Sequence, residues 1–515
     1  MAYSTIDRLF WVPEILKDIE EHVPVNDIVY RGLRVWPFLR ILFAGDLYGK
    51  KQGGISAIPA QENDRDPCDD HAAAFDQLYQ TVSSSILGLL GLKEDHHSDI
   101  LFFSRGYEYL PYDEKDYNRH FSPIKEVLEE MGISHVDLIV PYDGKSREPK
   151  RFPVVNATKA IEFAEQTVAL RWKMGPRPPI RNLSKLLNYI SEKKISIPFD
   201  YEKCVHTLDR TLEYAAVFER LLKHIRPKAV FLTCFYNDIL YGVILAARRL
   251  NIPSVEVERW FTQCGDLCVS NWTQVPEEGY ELIPDYYWVW SEDSTPALDS
   301  WPRKSSHNLA PIVAGHLFMQ RELKRVPISP RPAGKERVML VTLEEMPHKN
   351  IANLIPEVVA RAMEMAPDSW LWIFRQHFEM DAAHFEPIRD YMRKWGNKVK
   401  MEPVSECHLY STLRMVDYHI CQTISTGIEA EALGIPTIIV WPDPAKYYPK
   451  EIERGIFLHT TDPAELIRII SEKRKPNARG KRVIELDRNV ARRALKQLIQ
   501  TTSDDANAPA IEAGA

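Results

Sequence analysis

The chain has no long apolar run, few cysteines and no excess of positive charge, and each absence excludes a class of protein. None of its apolar stretches approaches the roughly 18 residues that a membrane-spanning helix needs. Its seven cysteines, an odd number, are typical of reduced thiols rather than of a disulfide framework. The net charge of −7, from 65 basic and 72 acidic residues, excludes a generally basic nucleic-acid-binding protein. We therefore expect a cytoplasmic protein that has no nucleic-acid partner.

Patterns of metal ligands are also scarce. Cys264 and Cys268 form the closest cysteine pair, but no second Cys/His pair stands at zinc-site spacing. No Asp-x-Asp pair stands in a suitable loop either. The sequence therefore predicts a protein that uses neither a metal ion nor an organic cofactor.

The chain does contain enough apolar material for more than one core. Its 515 residues are 45% hydrophobic and 27% charged, which is typical of a soluble globular protein. That length corresponds to about three ordinary domains or two large ones. Residues 324–335 are rich in proline and basic residues, as linkers are. The sequence predicts four parts: an N-terminal helical extension with a linker at 1–70, a first α/β domain at 71–323, a second α/β domain at 324–500 and a disordered tail at 501–515.

Short apolar runs alternate with helical segments in both predicted domains. The runs of the first domain lie at residues 99–104, 136–140, 229–235, 252–258, 285–290 and 310–314. Those of the second domain lie at residues 337–342, 370–374, 399–401, 418–422 and 437–441. Such alternation is typical of a parallel sheet with helices on both faces. The sequence therefore predicts an α/β protein with two Rossmann-like domains.

Basic and aromatic residues are concentrated in residues 30–51, where Arg34 and Arg40 stand near Trp36 and Phe38. Helices that lie in a membrane interface use this mixture, with rings at headgroup depth and cations near lipid phosphates. This interpretation predicts peripheral contact with the inner face of the cytoplasmic membrane. The alternative is a helix packed on the body of the protein, with the arginine stems along apolar surface.

A second basic segment lies within an insertion predicted near residues 142–200. Residues 166–191 contain no acid and five basic residues, which are Arg171, Lys173, Arg177, Arg181 and Lys185. An acid-free basic segment can face an anionic partner or lipid headgroups. The alternative is a solvated loop.

The stretch with the most chemistry is residues 417–440. An apolar strand ends in Ser425-Thr426-Gly427, and a helix begins at once. The free N–H groups and the dipole at a helix start attract anions, and hydroxyl groups there can donate to phosphate oxygens. Glu429 lies one helical turn on, where it can accept hydrogen bonds from ribose hydroxyls. The alternative is an ordinary Ser/Thr N-cap with a glutamate of a capping box.

These residues carry a resemblance to a known family. The pattern hydroxyl–hydroxyl–Gly, Glu-Ala and Gly-x-Pro between two buried strands resembles the nucleotide-binding segment of GT-B glycosyltransferases, especially sialyltransferase-like and Kdo-transferase-like enzymes of bacterial capsule and lipopolysaccharide. Residues 226–258, PDYYWVWSE with APIVAGHLF, and FRQHF are similar to other passages of those enzymes, in the same order. The resemblance covers roughly residues 98–475. Where relatives have Gln-His-Gly, this chain has Glu258-Arg259-Trp260, and where they have His-Pro it has His377-Phe378.

The resemblance implies two facing Rossmann-like domains, with the acceptor on the first and a CMP-, UDP- or GDP-linked sugar donor on the second. The residues that it assigns to donor and nucleotide binding are Gly315, His316, Glu344, Arg375, His377, Ser425, Thr426, Gly427 and Glu429. Among these, His377 and Arg375, with the hydroxyls of Ser425 and Thr426, are expected to stabilise the leaving phosphate.

An inverting transfer also needs a general base near the acceptor hydroxyl. Loops at the carboxyl ends of strands supply such groups in α/β domains. The candidates are Glu258, Asp113, Asp238 and Glu345, with Glu258 and Asp113 preferred. Asp238 can instead be a helix N-cap, and Glu258 can instead form a structural ion pair with Arg259.

Three functions are compatible with these residues. The first is a metal-independent glycosyltransferase that acts on a cell-surface glycan or glycolipid precursor. The second is a nucleotide-sugar epimerase of the same architecture, which would use the Ser-Thr-Gly segment equally well. The third is a non-catalytic glycan-assembly protein, an alternative favoured by the loss of Gln-His-Gly.

Overall fold

The architecture is that of a computed structural model of the 515-residue chain. The structure describes residues 5–49, 97–105, 117–140, 151–174, 177–195, 197, 199–262, 266–299, 301–302, 308–343, 355–377, 380, 382–403, 408–422, 425–477 and 483–505. The expected linker before residue 70 and the last ten residues of the expected tail lie outside the described residues. The same holds for three predicted site residues, Asp113, Glu344 and Glu345.

The chain begins with a helical extension. It consists of α1 (Thr5–His22), a two-stranded hairpin of β1 (Val29–Tyr30) and β2 (Leu33–Arg34), and α2 (Trp36–Gly49). Trp36 and Arg40 are completely buried, and Phe38 is nearly so. These side chains pack against the first domain, so the membrane interpretation of them is wrong and the packed-helix alternative is confirmed. No helix among the described residues has the length and apolarity needed to cross a membrane.

The first domain contains a seven-stranded parallel sheet with the order β5-β4-β3-β6-β7-β8-β9. Its strands are β3 (Ile100–Arg105), β4 (His135–Val140), β5 (Val154–Asn156), β6 (Ala229–Leu232), β7 (Ser254–Val257), β8 (Tyr286–Val289) and β9 (Ala310–Val313). Side chains of β3 enter two separate cores, Leu101 and Phe103 on one face and Ile100 and Phe102 on the other. Burial on both faces explains the continuous apolar runs of the sequence.

Helices cover both faces of this sheet. They are α3 (Ser122–Glu130), α4 (Thr158–Met174), α5 (Leu183–Glu192), α6 (Tyr201–Ile225), α7 (Asp238–Arg249) and α8 (Leu317–Arg325). Side chains define where two of them begin. Asp200 accepts the N–H of Lys203 at 3.0 Å at the start of α6, and Asn237 accepts that of Leu240 at 3.0 Å at the start of α7.

The basic insertion is helical rather than a loop, because α4 and α5 span most of it. Two of its five cations pair with acidic residues of α6. Arg171 pairs with Glu213 at 2.7 Å, and Arg177 pairs with Asp209 at 2.9 Å. The backbone of Arg181 pairs with Val29 of the N-terminal hairpin. This segment therefore joins the extension to the first domain. The expectation of a loop is wrong, whereas the anion-facing surface stays a prediction for its exposed residues Lys173, Arg181 and Lys185.

The second domain contains a six-stranded parallel sheet with the order β12-β11-β10-β13-β14-β15. Its strands are β10 (Arg337–Thr342), β11 (Trp370–Arg375), β12 (Val399–Glu402), β13 (Tyr418–Cys421), β14 (Thr437–Ile439) and β15 (Leu458–His459). Its helices are α9 (Glu357–Met365), α10 (Ala382–Met392), α11 (Leu409–Leu413), α12 (Thr426–Ala432), α13 (Pro444–Tyr447), α14 (Pro449–Glu453) and α15 (Pro463–Ser471). The predicted α/β class, with two Rossmann-like sheets and a helical extension, is confirmed.

The last helix, α16 (Arg488–Asp505), returns to the first domain. Ala491 and Leu495 pack in the same core as Ile100 of β3, and Arg492 pairs with Glu130. The helix also runs five residues into the segment 501–515 that the sequence predicts to be disordered. The two domains are therefore joined twice, by the segment after β9 and by the segment before α16.

An ion pair between Asp293 and Arg454, at 2.5 Å, also links the domains. Beside it, burial and the charge of Asp293 raise the pKa of Glu451 from 4.5 to about 7. A carboxyl whose pKa is higher in the folded state stabilises the protein fully below pH 4.5 and loses this contribution as the pH rises through 7.

We therefore expect Glu451→Gln to become more stable relative to wild type as the pH rises. The shift corresponds to about 3 kcal/mol between pH ~4.5 and pH ~8. Chemical denaturation of both proteins at several pH values measures the difference. The control is Glu364→Gln at an exposed position of α9, and a difference that is constant with pH would contradict the expectation.

Candidate functional site

The predicted anion-binding segment lies at the topological switch point of the second sheet. Strand β13 ends at Cys421 and helix α12 begins at Thr426, as the sequence predicts. Because β13 and β11 lie on opposite sides of β10, the direction of the strand order reverses between β10 and β13. Open α/β sheets bind their ligands in such crevices.

Ser425 occupies the N-cap position of α12, but its hydroxyl makes no capping hydrogen bond. The described residues therefore do not form the ordinary Ser N-cap that was the alternative. Thr426, the next residue, is buried. The hydroxyl of Ser425 thus stands at the switch point without a structural bond to its own helix.

Gly427 has a packing role. A Cβ at this position would lie 3.3 Å from Cγ2 of Thr437, 3.5 Å from Sγ of Cys421 and 3.6 Å from Phe457. The missing side chain lets α12 lie close to strands β13 and β14. The assignment of Gly427 to nucleotide binding stays a prediction.

Glu429 is the centre of a buried cluster that joins the two domains. Its Oε1 accepts the hydroxyl of Tyr410 and lies 3.3 Å from Nε2 of His316. The Tyr410 hydroxyl lies 3.4 Å from the same nitrogen. His316 belongs to the segment after β9, so two predicted residues from distant parts of the sequence meet here.

The second oxygen of Glu429, Oε2, has no hydrogen-bond partner among the described residues. Burial by itself would raise the pKa of Glu429. The hydrogen bond and charge of His316, the hydrogen bond of Tyr410 and the charge of Arg119 outweigh it and lower that pKa. The cluster therefore holds an ionised carboxylate by one oxygen and leaves the other available as an acceptor.

His316 is held by its own surroundings as well. Its ring stacks on the indole of Trp290 with centroids 3.9 Å apart and planes 16° apart. Its Nδ1 lies 3.5 Å from the N–H of Met319, at the start of α8. Its backbone N–H donates to the carbonyl of Glu485 at 3.0 Å. This last bond ties the two connections between the domains together at the site.

Gly315 allows this crossing of the two connections. Its φ is +84°, and a Cβ would lie 2.7 Å from the carbonyl oxygen of Glu485. We expect Gly315→Ala to lower the free energy of unfolding by about 2–4 kcal/mol, because both the backbone angle and the close approach oppose it.

Gly334→Ala is the matched control for this variant. Gly334 has a φ of +73°, but a Cβ added there would meet no atom within 4 Å. Its replacement should therefore cost only the backbone term, about 1 kcal/mol. Chemical denaturation measures both, and equal losses would show that the contact with Glu485 contributes nothing.

Arg375 and His377, the two residues expected to carry positive charge toward the leaving phosphate, lie in different surroundings. Arg375 ends β11, but its guanidinium is buried against the carboxylate of Glu402, which also accepts the hydroxyl of Thr412. This pairing does not favour the assignment of Arg375 to the phosphate, which stays a prediction. His377 follows two residues later, is half-buried, and its carbonyl accepts the N–H of Met380. Its assignment stays a prediction.

Glu258 is a buried structural carboxylate. Its oxygens accept the N–H of Trp290 at 2.5 Å, the N–H of Thr262 at 2.6 Å and the hydroxyl of Ser294 at 3.2 Å. Burial raises its pKa to about 7. Both oxygens are thus occupied and the side chain does not reach solvent, so its assignment as the base is not favoured. The alternative pairing with Arg259 is not formed either, since that guanidinium contacts Sγ of Cys234.

Asp238 is the first residue of α7, and Asn237 rather than Asp238 is the N-cap. Its carboxylate pairs with Arg210 at 2.9 Å and accepts the N–H of Ile239 at 3.0 Å. Burial raises its pKa even though Arg210 opposes the shift. Asp238 therefore links α7 to α6, and this geometry does not favour it as the base.

Some predicted site residues are not described by the structure, and some observed ones were not predicted. Glu344, Glu345 and Asp113 lie outside the described residues, so their roles stay predictions. Trp290 and Tyr410 belong to the cluster around His316 but escape the sequence analysis. An aromatic residue at the end of an apolar run or in a short helix is usually part of a core, and no local pattern signals their contact with His316. No group of three or more potential metal ligands occurs within the described ranges.

Comparisons with known proteins found similarity among solved structures only. No family model matches the chain, and no significant match to a curated protein was found. The structure is similar to that of a putative UDP-N-acetylglucosamine 2-epimerase from Listeria monocytogenes, with 12% identity, a TM-score of 0.48, and coverage of 79% of this chain and 97% of that one.

Two further solved structures are similar. UDP-GlcNAc 2-epimerase from Neisseria meningitidis bound to UDP-GlcNAc has 15% identity and a TM-score of 0.46, over 78% of this chain and 99% of that one. The glycotransferase of kitacinnamycin has 14% identity and a TM-score of 0.42, over 79% and 96%. At these identities, and with TM-scores below 0.5, the likeness identifies neither a family nor an activity for this chain. The narrower resemblance to sialyltransferase-like and Kdo-transferase-like enzymes stays a prediction.

Proposed function

We propose that the chain is an enzyme that binds a nucleotide sugar at the switch point of its second domain and transfers the sugar to a glycan or glycolipid precursor. The observation that carries the proposal is the state of Glu429. It is ionised, it is held through Oε1 by Tyr410 and His316, and its Oε2 has no partner among the described residues. A carboxylate fixed in this way is suited to accept hydrogen bonds from the hydroxyls of a ribose.

The neighbouring groups fit the other parts of a nucleotide. The hydroxyl of Ser425 makes no capping bond and lies one turn before Glu429, on the side where phosphate oxygens would stand. His316 comes from the connection between the domains, so a nucleotide bound at Glu429 would touch both of them. Contact with both domains allows the first domain to present an acceptor to the donor sugar.

The mechanism also needs a general base, for which several carboxylates are candidates. Glu258 and Asp238 are engaged in bonds within the first domain. Asp113 and Glu345 are therefore the preferred carboxylates, each to take the proton of the acceptor hydroxyl while the nucleotide departs. Because Arg375 is paired with Glu402, the groups expected to stabilise the leaving phosphate are Ser425, Thr426 and His377.

A nucleotide-sugar epimerase is the second candidate. It is the activity named for two of the similar solved structures, and the ribose and phosphate groups described here would serve it equally. A non-catalytic glycan-assembly protein is the third. Peripheral membrane contact also stays open for the enzyme as a whole, although the side chains first expected to make it are buried.

A panel of CMP-, UDP- and GDP-linked sugars distinguishes these functions. Incubation with each sugar alone reveals an epimerase by the appearance of a second sugar isomer. A transferase releases nucleotide quickly only when an acceptor glycan is added. Calorimetry with the free nucleotides tests binding by itself. A protein that binds no nucleotide and turns over no sugar would overturn the proposal.

A further inference from the structure

The ring of His316 makes only long hydrogen bonds, although it stands at the centre of a buried cluster. Its Nε2 lies 3.3 Å from Oε1 of Glu429 and 3.4 Å from the hydroxyl of Tyr410. Its Nδ1 lies 3.5 Å from the backbone nitrogen of Met319. Hydrogen bonds of nitrogen to oxygen are usually about 2.7–3.2 Å long, and longer ones orient their partners weakly. These three contacts therefore do not by themselves fix the plane of the ring.

The indole of Trp290 fixes that plane. The centroids of the two rings are 3.9 Å apart and their planes differ by 16°, so the rings lie face to face. Both residues are buried. A rotation of the imidazole would separate the rings and leave a gap, which is unfavourable because protein interiors are close-packed. The stack therefore keeps Nε2 of His316 directed at Glu429.

Trp290 is itself held by Glu258, a buried carboxylate that the proposed mechanism does not use. Oε2 of Glu258 accepts the N–H of Trp290 at 2.5 Å and the hydroxyl of Ser294 at 3.2 Å. Oε1 accepts the N–H of Thr262 at 2.6 Å. Glu258 follows β7 and Trp290 follows β8, so this side chain joins the ends of two neighbouring strands of the first sheet.

The backbone of Glu485, on the segment before α16, holds the other side of the stack. Its N–H donates to the carbonyl of Trp290 at 3.2 Å, and its carbonyl accepts the N–H of His316 at 3.0 Å. The indole also lies in one core with Phe261 of the first domain and Ile428 of α12. A shift at the end of β8 would therefore reach both His316 and the helix that carries Glu429.

We propose that Trp290 is a positioning residue of the nucleotide site, which sets the plane of His316 and through it the hold on Glu429. Glu258 acts one step further away, because it fixes the strand end from which Trp290 projects. The affinity for the nucleotide thereby depends on the first domain, even though the groups that contact ribose and phosphate stand on the second. The inference rests on the proposed function in that the ligand of Glu429 is a nucleotide.

The positioning role is tested with Trp290→Leu and Trp290→Phe, by calorimetry with the nucleotide that wild type prefers. Trp290→Leu removes the stack and should lower the affinity about three- to tenfold, the range that corresponds to one aromatic pair. Trp290→Phe keeps a flat ring and should recover most of the loss. Equal affinities in wild type and Trp290→Leu would overturn the proposal.

Trp301→Leu is the matched control. Trp301 is a buried tryptophan of the first domain, and its ring centroid lies 4.9 Å from that of Trp272. Its replacement should lower the stability, measured by chemical denaturation, and leave the affinity for the nucleotide unchanged. An equal loss of affinity in Trp301→Leu and Trp290→Leu would show that any cavity in this core has the same effect, and the specific role of Trp290 would fall.

A double-mutant cycle shows whether Trp290 acts through His316. His316→Ala should lower the affinity for the nucleotide, and the addition of Trp290→Leu should lower it no further. Additive losses would mean that Trp290 contributes independently of His316, which contradicts the proposal.

The orientation of His316 can also be measured without any nucleotide. In protein with ¹³C-labelled histidines, the Cε1–H resonance that disappears in His316→Ala belongs to this residue. The ring current of the stacked indole should displace it upfield. Trp290→Leu should abolish the displacement. Glu258→Gln should reduce it, because one of the two backbone N–H groups then faces an amide donor. The same resonance position in wild type and Trp290→Leu would refute the stack as the source of the orientation.

The two proposals fail in different ways. A wild type that binds no nucleotide would refute the proposed function, whereas the histidine resonance would still decide whether Trp290 sets the plane of His316. A wild type that binds a nucleotide with an affinity independent of Trp290 would refute the positioning role and leave the proposed function standing.

Discussion

Replacement of Glu429 by alanine is expected to weaken the binding of the nucleotide by about tenfold or more. A hydrogen bond to a charged group contributes about 1.5–3 kcal/mol, and the bound ribose would lose its acceptor. The variant also leaves the hydroxyl of Tyr410 and Nε2 of His316 without their common partner. Calorimetry of wild type and variant with the nucleotide that wild type prefers measures the change.

Two further variants make this result specific. Tyr410→Phe keeps the carboxylate but removes the hydroxyl that orients it, so it should lose less affinity than Glu429→Ala. Glu465→Ala removes a half-buried carboxylate of α15 that pairs with Arg468 and Arg474, and should bind the nucleotide as wild type does. Equal affinity in wild type and Glu429→Ala would remove the central support of the proposed function.

The meeting of Glu429 with His316 follows from the sequence only in part. Each residue can be singled out locally, Glu429 by its distance from the strand end and His316 by the glycine before it. Their contact depends on the second crossing between the domains, where the N–H of His316 bonds to Glu485. Such a contact depends on how two distant connections lie against each other, so neither segment carries a periodic pattern that would predict it.

The strands of both sheets could be predicted because the burial of each strand is visible in its own residues. A strand of a parallel sheet is covered on both faces, as β3 and β10 are, and therefore appears as a continuous apolar run. Carboxylates at strand ends are different. Glu258 and Asp238 stand where catalytic groups stand, but the groups that occupy their oxygens come from other segments, Trp290 in one case and Arg210 in the other.

The position of the N-terminal extension could not be predicted for the same reason, because its partners come from distant segments. A helix with tryptophan, phenylalanine and arginine has the composition of an interfacial membrane helix and of a helix buried in protein. The choice between them depends on whether the body of the protein offers acceptors for the arginine. Here the backbone of residues 267–271 offers three carbonyls, more than 200 positions away in the chain.

Replacement of Arg40 by alanine is therefore expected to lower the free energy of unfolding by about 3–5 kcal/mol, since it leaves the buried carboxylate of Glu20 without its counter-ion. Chemical denaturation measures the loss. Arg34→Ala is the control from the same segment. Arg34 pairs with Glu278 and Glu281 near the surface, where such pairs contribute less than about 1 kcal/mol.

The two arginines separate the two interpretations of the segment because a membrane contact and a buried pair predict opposite results. If Arg40 served a bilayer, its removal would leave the stability in solution nearly unchanged and would reduce flotation with anionic liposomes. If it holds the loop between β7 and β8, its removal costs stability in the absence of any lipid, as its complete burial requires. Small and equal losses in Arg40→Ala and Arg34→Ala would show that the contacts with residues 267–271 do not hold the loop.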